Sequence, residues 1–185
     1  TVSRKDAPVK EAVEKGNEID VRRLPAPLHH RMDPGRYITE GFVLTFNRNS
    51  GLDNSAMQRG WLAGRDEIRI WIGPSTHNRH NLREYEEAGE DMPVAFWVGH
   101  HPLILLGAEN HVGPDESHYE TAGGTFGAPL RLVPSETLGD KFLVPADAVS
   151  HNTPVTERDD ACLQGIDETG VVRGDDDGRS RCVNP

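Results

Sequence analysis

An α+β fold, built on a sheet or small barrel with two or three inserted helices, is the class these 185 residues predict. Two observations point to it, and a third marks where the folded part ends. The stretches Tyr37 to Phe46 and Glu67 to Ile72 alternate with a period of two, as strands do. One long helical stretch, Asn78 to Ala88, is closed by Gly89. Every Trp, Tyr and Phe lies before residue 149. Many short strands divided by turn residues fit a sheet-based mixed fold better than a helical bundle. The length suits one body with a sizeable core rather than two.

In chain order, Pro8 at a first helical position and Gly16 beyond the end bracket a short helix through Val9, Ala12 and Val13. Leu24 to Leu28 is extended, because Pro25 and Pro27 fix their own backbone and push their predecessors out of the helical region. Between Tyr37 and Phe46, one face carries Ile38, Phe42, Leu44 and Phe46 and the other Thr39, Val43 and Thr45. Asn47 to Gly51 reads as a turn. Ile68, Ile70 and Ile72 make one side of a half-buried strand that stops at Gly73-Pro74. Pro93 to Val98 and Pro102 to Leu106 read as two short buried strands. Asp115 is placed to cap a helix through Tyr119 and Ala122 that Gly123 and Gly124 end, and Leu130 to Val133 and Lys141 to Val144 complete the strands. The chain thus divides into a helix and proline-rich connector (1–36), a folded domain (37–148) and an acidic, aromatic-free tail (149–185). The tail, with its run Arg173-Gly174-Asp175-Asp176-Asp177-Gly178-Arg179, is too poor in large apolar groups to offset chain entropy and is expected to be mobile or loosely docked.

Charge narrows the function. With 30 Asp and Glu against 20 Lys and Arg, the net charge of -10 repels a phosphate backbone or an anionic membrane, so neither nucleic acid nor membrane is expected as a partner. No apolar stretch approaches the ~20 residues that span a bilayer. No apolar run follows the charged N-terminus, so no secretory signal is read and the cytoplasm is the expected location. Cys162 and Cys182 form neither a zinc motif nor a disulfide framework.

Several segments stand in a recognisable order: Pro8-Val9-Lys10-Glu11-Ala12-Val13, Leu28-His29-His30-Arg31-Met32-Asp33-Pro34-Gly35-Arg36-Tyr37-Ile38-Thr39, and Asn54 to Arg59. Gly73-Pro74-Ser75-Thr76-His77, the apolar Pro93 to Ala108, Asp115 to Ala122, and Ser135-Glu136-Thr137 before Leu143-Val144-Pro145-Ala146 follow. Across residues 8 to 148 this pattern resembles the UbiD family of decarboxylases; the His29 to Thr39 string and the pairing of Asn54 with Arg59 are its specific parts. The resemblance implies a split β-barrel related to flavin-reductase folds. It also implies non-oxidative decarboxylation of a small aromatic or α,β-unsaturated carboxylic acid with prenylated FMN, and a homo-oligomer or a complementing subunit.

The resemblance carries roles to single residues. Asn54, His77 and Glu116 match the family's divalent-metal ligands under the cofactor phosphate; amide, imidazole and carboxylate together suit Mn2+ or Mg2+, with K+ as a further candidate. Arg59 matches the family's active-site arginine, a fork for the substrate carboxylate. Ser55, Ala56, Met57 and Gln58 would lie along the flavin, and Thr76 beside its phosphate. Each residue also has a plainer reading. Asn54 suits a turn, His77 a helix start, Glu116 a helix N-terminus and Arg59 an exposed strand position. The adjacent pairs His29-His30 and His100-His101 are read as packing and turn residues, since neighbours on an extended chain diverge.

Two departures from the family pattern bear on activity. Ala108-Glu109-Asn110-His111 stands where an apolar, methionine-containing loop is usual. After Ala148 no stretch matches the family's acid/base glutamates, which suggests that residues 149–185 are unrelated to it through truncation or an altered reading frame. The expected function is therefore an incomplete UbiD-like decarboxylase. The alternatives are a catalytically silent flavin- and metal-binding module or accessory subunit, and a degenerate fragment.

Overall fold

The structure, a computed structural model, describes residues 1–148, 167–174 and 180–183. Ten strands and three helices order it: β1 (Tyr37–Ile38), β2 (Gly41–Phe46), β3 (Asp53–Met57), β4 (Gly60–Leu62), β5 (Ile68–Arg69), α1 (His77–Ala88), β6 (Met92–Val98), α2 (Pro102–Ala108), α3 (His118–Phe126), β7 (Leu132–Pro134), β8 (Leu143–Pro145), β9 (Asp167–Gly174) and β10 (Ser180–Val183). Eight strands form one open, antiparallel sheet in the order β1-β4-β5-β10-β9-β6-β2-β3, and β7 and β8 pair apart from it. The class is mixed α/β with few helices, as the sequence predicts. No helix among the described residues is long and apolar enough to cross a membrane.

The central strands β2 and β6 are buried on both faces. Val43, Val94 and Phe96 pack on one side with Ile68, Ile70, Ile72, Ile19, Val21 and Leu82 of α1. Phe42, Leu44, Ala95 and Trp97 pack on the other with Ile104 of α2, Ala122 of α3, Val133 and Val144. Phe42 stacks on Trp97 at 4.4 Å between ring centroids. The sheet is therefore the middle of three layers, and its faces follow the predicted alternation of β2.

Five expectations change. The helix predicted through Val13 is a single 3-10 turn, Pro8–Lys10, pinned where Val9 N donates to Ala146 O at 3.1 Å and the Val9 side chain is taken into the core. A short segment with little helical stability of its own yields to such a contact. The strand predicted from Tyr37 divides before Gly41, where any Cβ would lie 1.9 Å from the Phe96 ring. Pro102 to Leu106, expected as a strand, is the helix α2. His101 caps it, accepting from Leu103 N, and Pro102 sits in the first turn. Helix α3 starts later than expected: Ser117, not Asp115, is its cap, and Gly123 and Gly124 lie inside it, with Gly127 at φ +84° ending it. Of the expected tail, residues 167–174 and 180–183 are strands that fill the sheet between β5 and β6, with Val171 opposite Pro93 and Val172 opposite Met92. The rest of that segment, Cys162 included, lies outside the described residues.

Candidate functional site

Among the described residues strand β3 is an edge of the sheet and pairs only with β2, with Thr45 opposite Asn54 and Leu44 opposite Ser55. Side chains alternate along a strand. Asn54 therefore joins Thr45 on the α1 side, and Asp53 joins Phe46 on the α3 side. Both helices begin at this edge. Thr76 caps α1, accepting from Arg79 N, and Ser117 caps α3, accepting from Glu120 N, so the first residue of each helix is a histidine. His77 and His118 meet across the strand edge with ring centroids 6.3 Å apart and planes at 78°. Between them opens a cavity of about 320 Å³, lined by residues 54–58, 75–78 and 109–112 and by His118.

A chain of hydrogen bonds fixes which way the Asn54 amide points. Thr45 Oγ1 donates its one proton to Asn78 Oδ1 at 2.8 Å, so it accepts from Asn81 Nδ2 at 2.9 Å; Asn81 Oδ1 in turn accepts from Asn47 Nδ2 at 3.2 Å. Asn78 Oδ1 takes a second donor, Asn54 Nδ2. The amide oxygen of Asn54 is thereby left out of the chain and free for the cavity. On the other face, Asp53 ties strand to helix, accepting from Ser117 Oγ at 2.5 Å and Tyr119 N at 2.9 Å.

The walls hold unmet polar groups. Ser55 Oγ, Asn78 Nδ2 and His118 Nδ1 are buried with no hydrogen-bond partner. Each such group costs about 1–3 kcal/mol unless something pairs with it, which marks a place where a ligand or water completes the structure. The edge backbone adds a donor. Gln58 N donates inward to Gly41 O at 2.7 Å, so by the alternation of the ladder the amides of Ser55 and Met57 face outward; Glu109 Oε2 takes that of Met57. Burial pushes the His118 imidazole below its ordinary pKa and the neighbouring His77 acts the same way, against the upward pull of Asp53. The ring is therefore neutral near pH 7, with a lone pair to offer.

Of the residues expected at the site, Asn54, Ser55, Ala56, Met57, Gln58, Thr76 and His77 line this cavity together. Two do not. Arg59 lies just past it in the turn between β3 and β4, exposed, its guanidinium 5.7 Å from the centre of the Tyr37 ring. Glu116 is exposed and turned back, Oε2 accepting from Gly113 N at 2.6 Å, and does not line the cavity. His118, two residues on, lines it instead. The signal for it was legible: Ser117-x-x-Glu120 is a capping-box spacing, which starts the helix at residue 118. Asn78, Glu109 and His111 also line the cavity and were not singled out as site residues. Among the described residues, no three His, Cys, Asp or Glu side chains group to hold a metal ion.

A family model described as the UbiD 3-octaprenyl-4-hydroxybenzoate carboxy-lyase Rift-related domain matches residues 1–150. The chain is 29% identical over 162 residues to the anhydromevalonate phosphate decarboxylase of Methanothermobacter thermautotrophicus, covering 86% of this chain and 38% of that one. It is 29% identical over 154 residues to the gallate decarboxylase of Lactiplantibacillus plantarum, covering 80% and 31%. Among solved structures, an evolved dimeric form of the UbiD-class enzyme HmfF from Pelotomaculum thermopropionicum, in complex with prFMN, matches with a TM-score of 0.80 at 28% identity, covering 98% of this chain and 42% of that one. HmfF in complex with FMN matches at 0.75 and 35% identity, covering 80% and 33%. The chain spans well under half the length of each of these relatives. The match with the prFMN complex also runs past residue 148, into the segment expected to be unrelated. With its fold shared at this level and the family model covering most of its length, the chain belongs to the UbiD family.

Proposed function

We propose that this chain is the cofactor-binding part of a UbiD-type carboxy-lyase. It would bind prenylated FMN at the β3 edge and act on a small aromatic or α,β-unsaturated carboxylic acid, as a homo-oligomer or beside a complementing subunit. In this reading the large sheet is the family's split barrel. One observation carries the proposal: a polar cavity with three buried unpaired atoms, lying where two helix N-termini meet an open strand edge. Helix N-termini favour a phosphate, and the outward Ser55 amide suits a flavin laid along the strand.

When bound, prenylated FMN supplies the electron sink for loss of carbon dioxide. The residues of this chain bind and orient. Asn54 and His77 would hold a divalent ion beside the phosphate, where the family resemblance implies Mn2+ or Mg2+ bound with a carboxylate, and His118 takes the place expected of Glu116. Met57 and Gln58, on the cavity wall, would lie along the flavin with their backbone. Arg59, exposed one residue beyond them and without an ion pair among the described residues, would swing from Tyr37 to grip the carboxylate.

A second reading, a flavin- and metal-binding subunit without turnover, is favoured by Glu109 being the one carboxylate among the described residues that line the cavity. Carbon dioxide release from hydroxybenzoic acids, measured with separately prepared prenylated FMN, decides between them. Release lost in Arg59→Ala supports the enzyme. Flavin binding without release supports the silent subunit, and absence of flavin binding sinks both.

A further inference from the structure

His118 gives the cavity a donor set unlike the one the family resemblance implies. It is 6% exposed, its Nδ1 has no partner, and its ring faces His77 with centroids 6.3 Å apart. Two imidazoles sharing one ion through bonds of ~2.0–2.1 Å hold their centroids roughly 5–6 Å apart, so a small side-chain rotation closes the gap. The Asn54 oxygen, fixed by its bond to Asn78, supplies a third donor on the same cavity wall. None is a carboxylate, and two are imidazole nitrogens, which bind a metal in their neutral form.

We propose that Asn54, His77 and His118 form a site for a borderline divalent transition ion of the Co2+, Ni2+ or Zn2+ class, in preference to Mn2+ or Mg2+. The inference deepens the cofactor-pocket reading and rests on it. Imidazole favours the later first-row ions, whereas carboxylate and water favour Mg2+ and Mn2+. Asp53 fixes the start of α3 that carries His118, accepting from Ser117 Oγ and from the Tyr119 amide on either side of it. Because the donors are neutral, the charge of the ion is left for a phosphate to balance. Ion and phosphate then strengthen each other's binding by the same factor.

The test uses the full chain without a histidine tag, stripped with chelator, then titrated with Co2+ or Mn2+, with and without inorganic phosphate. The readouts are the visible absorption of Co2+ and the metal retained after dialysis. One equivalent of Co2+ should bind at least tenfold more tightly than Mn2+, and phosphate should tighten it. His118→Gln should lose at least tenfold, His118→Glu should shift preference toward Mn2+, and Glu116→Gln should behave as the parent. Circular dichroism checks that each variant is folded; should His118→Gln fail, the ion preference of His118→Glu still decides. Equal affinity for the two ions, or Co2+ binding indifferent to residue 118, overturns the inference. FMN binding without any ion site defeats this inference alone. An ion site without FMN binding supports it and defeats the cofactor reading.

Discussion

Asn54 is an uncharged residue whose chemistry depends on which end of its amide faces the cavity, and that choice is made by Thr45, Asn78 and Asn81 behind it. Asn78→Ala removes the acceptor shared by Thr45 Oγ1 and Asn54 Nδ2. It should cost about 1–3 kcal/mol in urea unfolding and weaken FMN binding as Asn54 is freed to flip. Asn78→Asp keeps the acceptor and should retain most of both. A second residue-scale effect concerns pH. Burial pushes the His100 imidazole below its ordinary pKa, opposed by Asp147 and reinforced by His101, and its Nδ1 accepts from His101 N at 2.8 Å, which the protonated ring cannot do. Above pH ~6.5 the ring is neutral folded or unfolded and contributes nothing. As the pH falls below that value the unfolded chain takes the proton first, and stability is lost until the folded ring titrates too. Thermal melts from pH 7 down to about 5 should show His100→Gln falling less steeply than the parent. Asn54, His77 and the residues of β3 were legible as a site because their spacing carried the resemblance. His118 is less legible, because the resemblance implies a carboxylate ligand and Glu116 offers one two residues away.

At the scale of elements, the crossing of α2 and α3 holds His118 in place. Gly107 is what permits it, since a Cβ there would lie 2.5 Å from Ala122 Cα. Gly107→Ala should destabilise by about 1–3 kcal/mol and loosen ligand binding at the start of α3. Gly124, within the same α3, has nothing within 4 Å of the point a Cβ would occupy, so Gly124→Ala should be neutral or stabilise by up to about 1 kcal/mol. Comparing the two melts checks the crossing directly. β2, β6 and α1 could be read from the sequence because alternation or capping was unambiguous in each. α2 could not, because Leu103 to Leu106 are apolar on every side and periodicity is silent there. The cue was His101-Pro102, a cap followed by a first-turn proline. β9 and β10 were hidden for another reason: their place in the sheet is held by main-chain pairing with β5 and β6, which composition does not register.

For the whole molecule, the site lies where three layers end together. α1 reaches it from one face of the sheet, α3 from the other, and β3 supplies the edge between them. No single element holds the cavity, so a ligand that fills it should stabilise the entire fold. At a hundredfold excess over its dissociation constant, FMN should add about 2.7 kcal/mol, seen as a concentration-dependent rise in melting temperature. The fold class was foreseen because alternating strands and a single long helix allow few architectures. The convergence was not, since sequence order alone does not tell which helix packs on which face. The most direct measurement is a titration of FMN into the full chain, followed by quenching of flavin fluorescence. Saturable binding with one site per chain is predicted, weakened at least tenfold by Asn54→Ala and by His77→Ala. No saturable binding, or binding unchanged in both variants, would contradict the placement of the cofactor at the β3 edge.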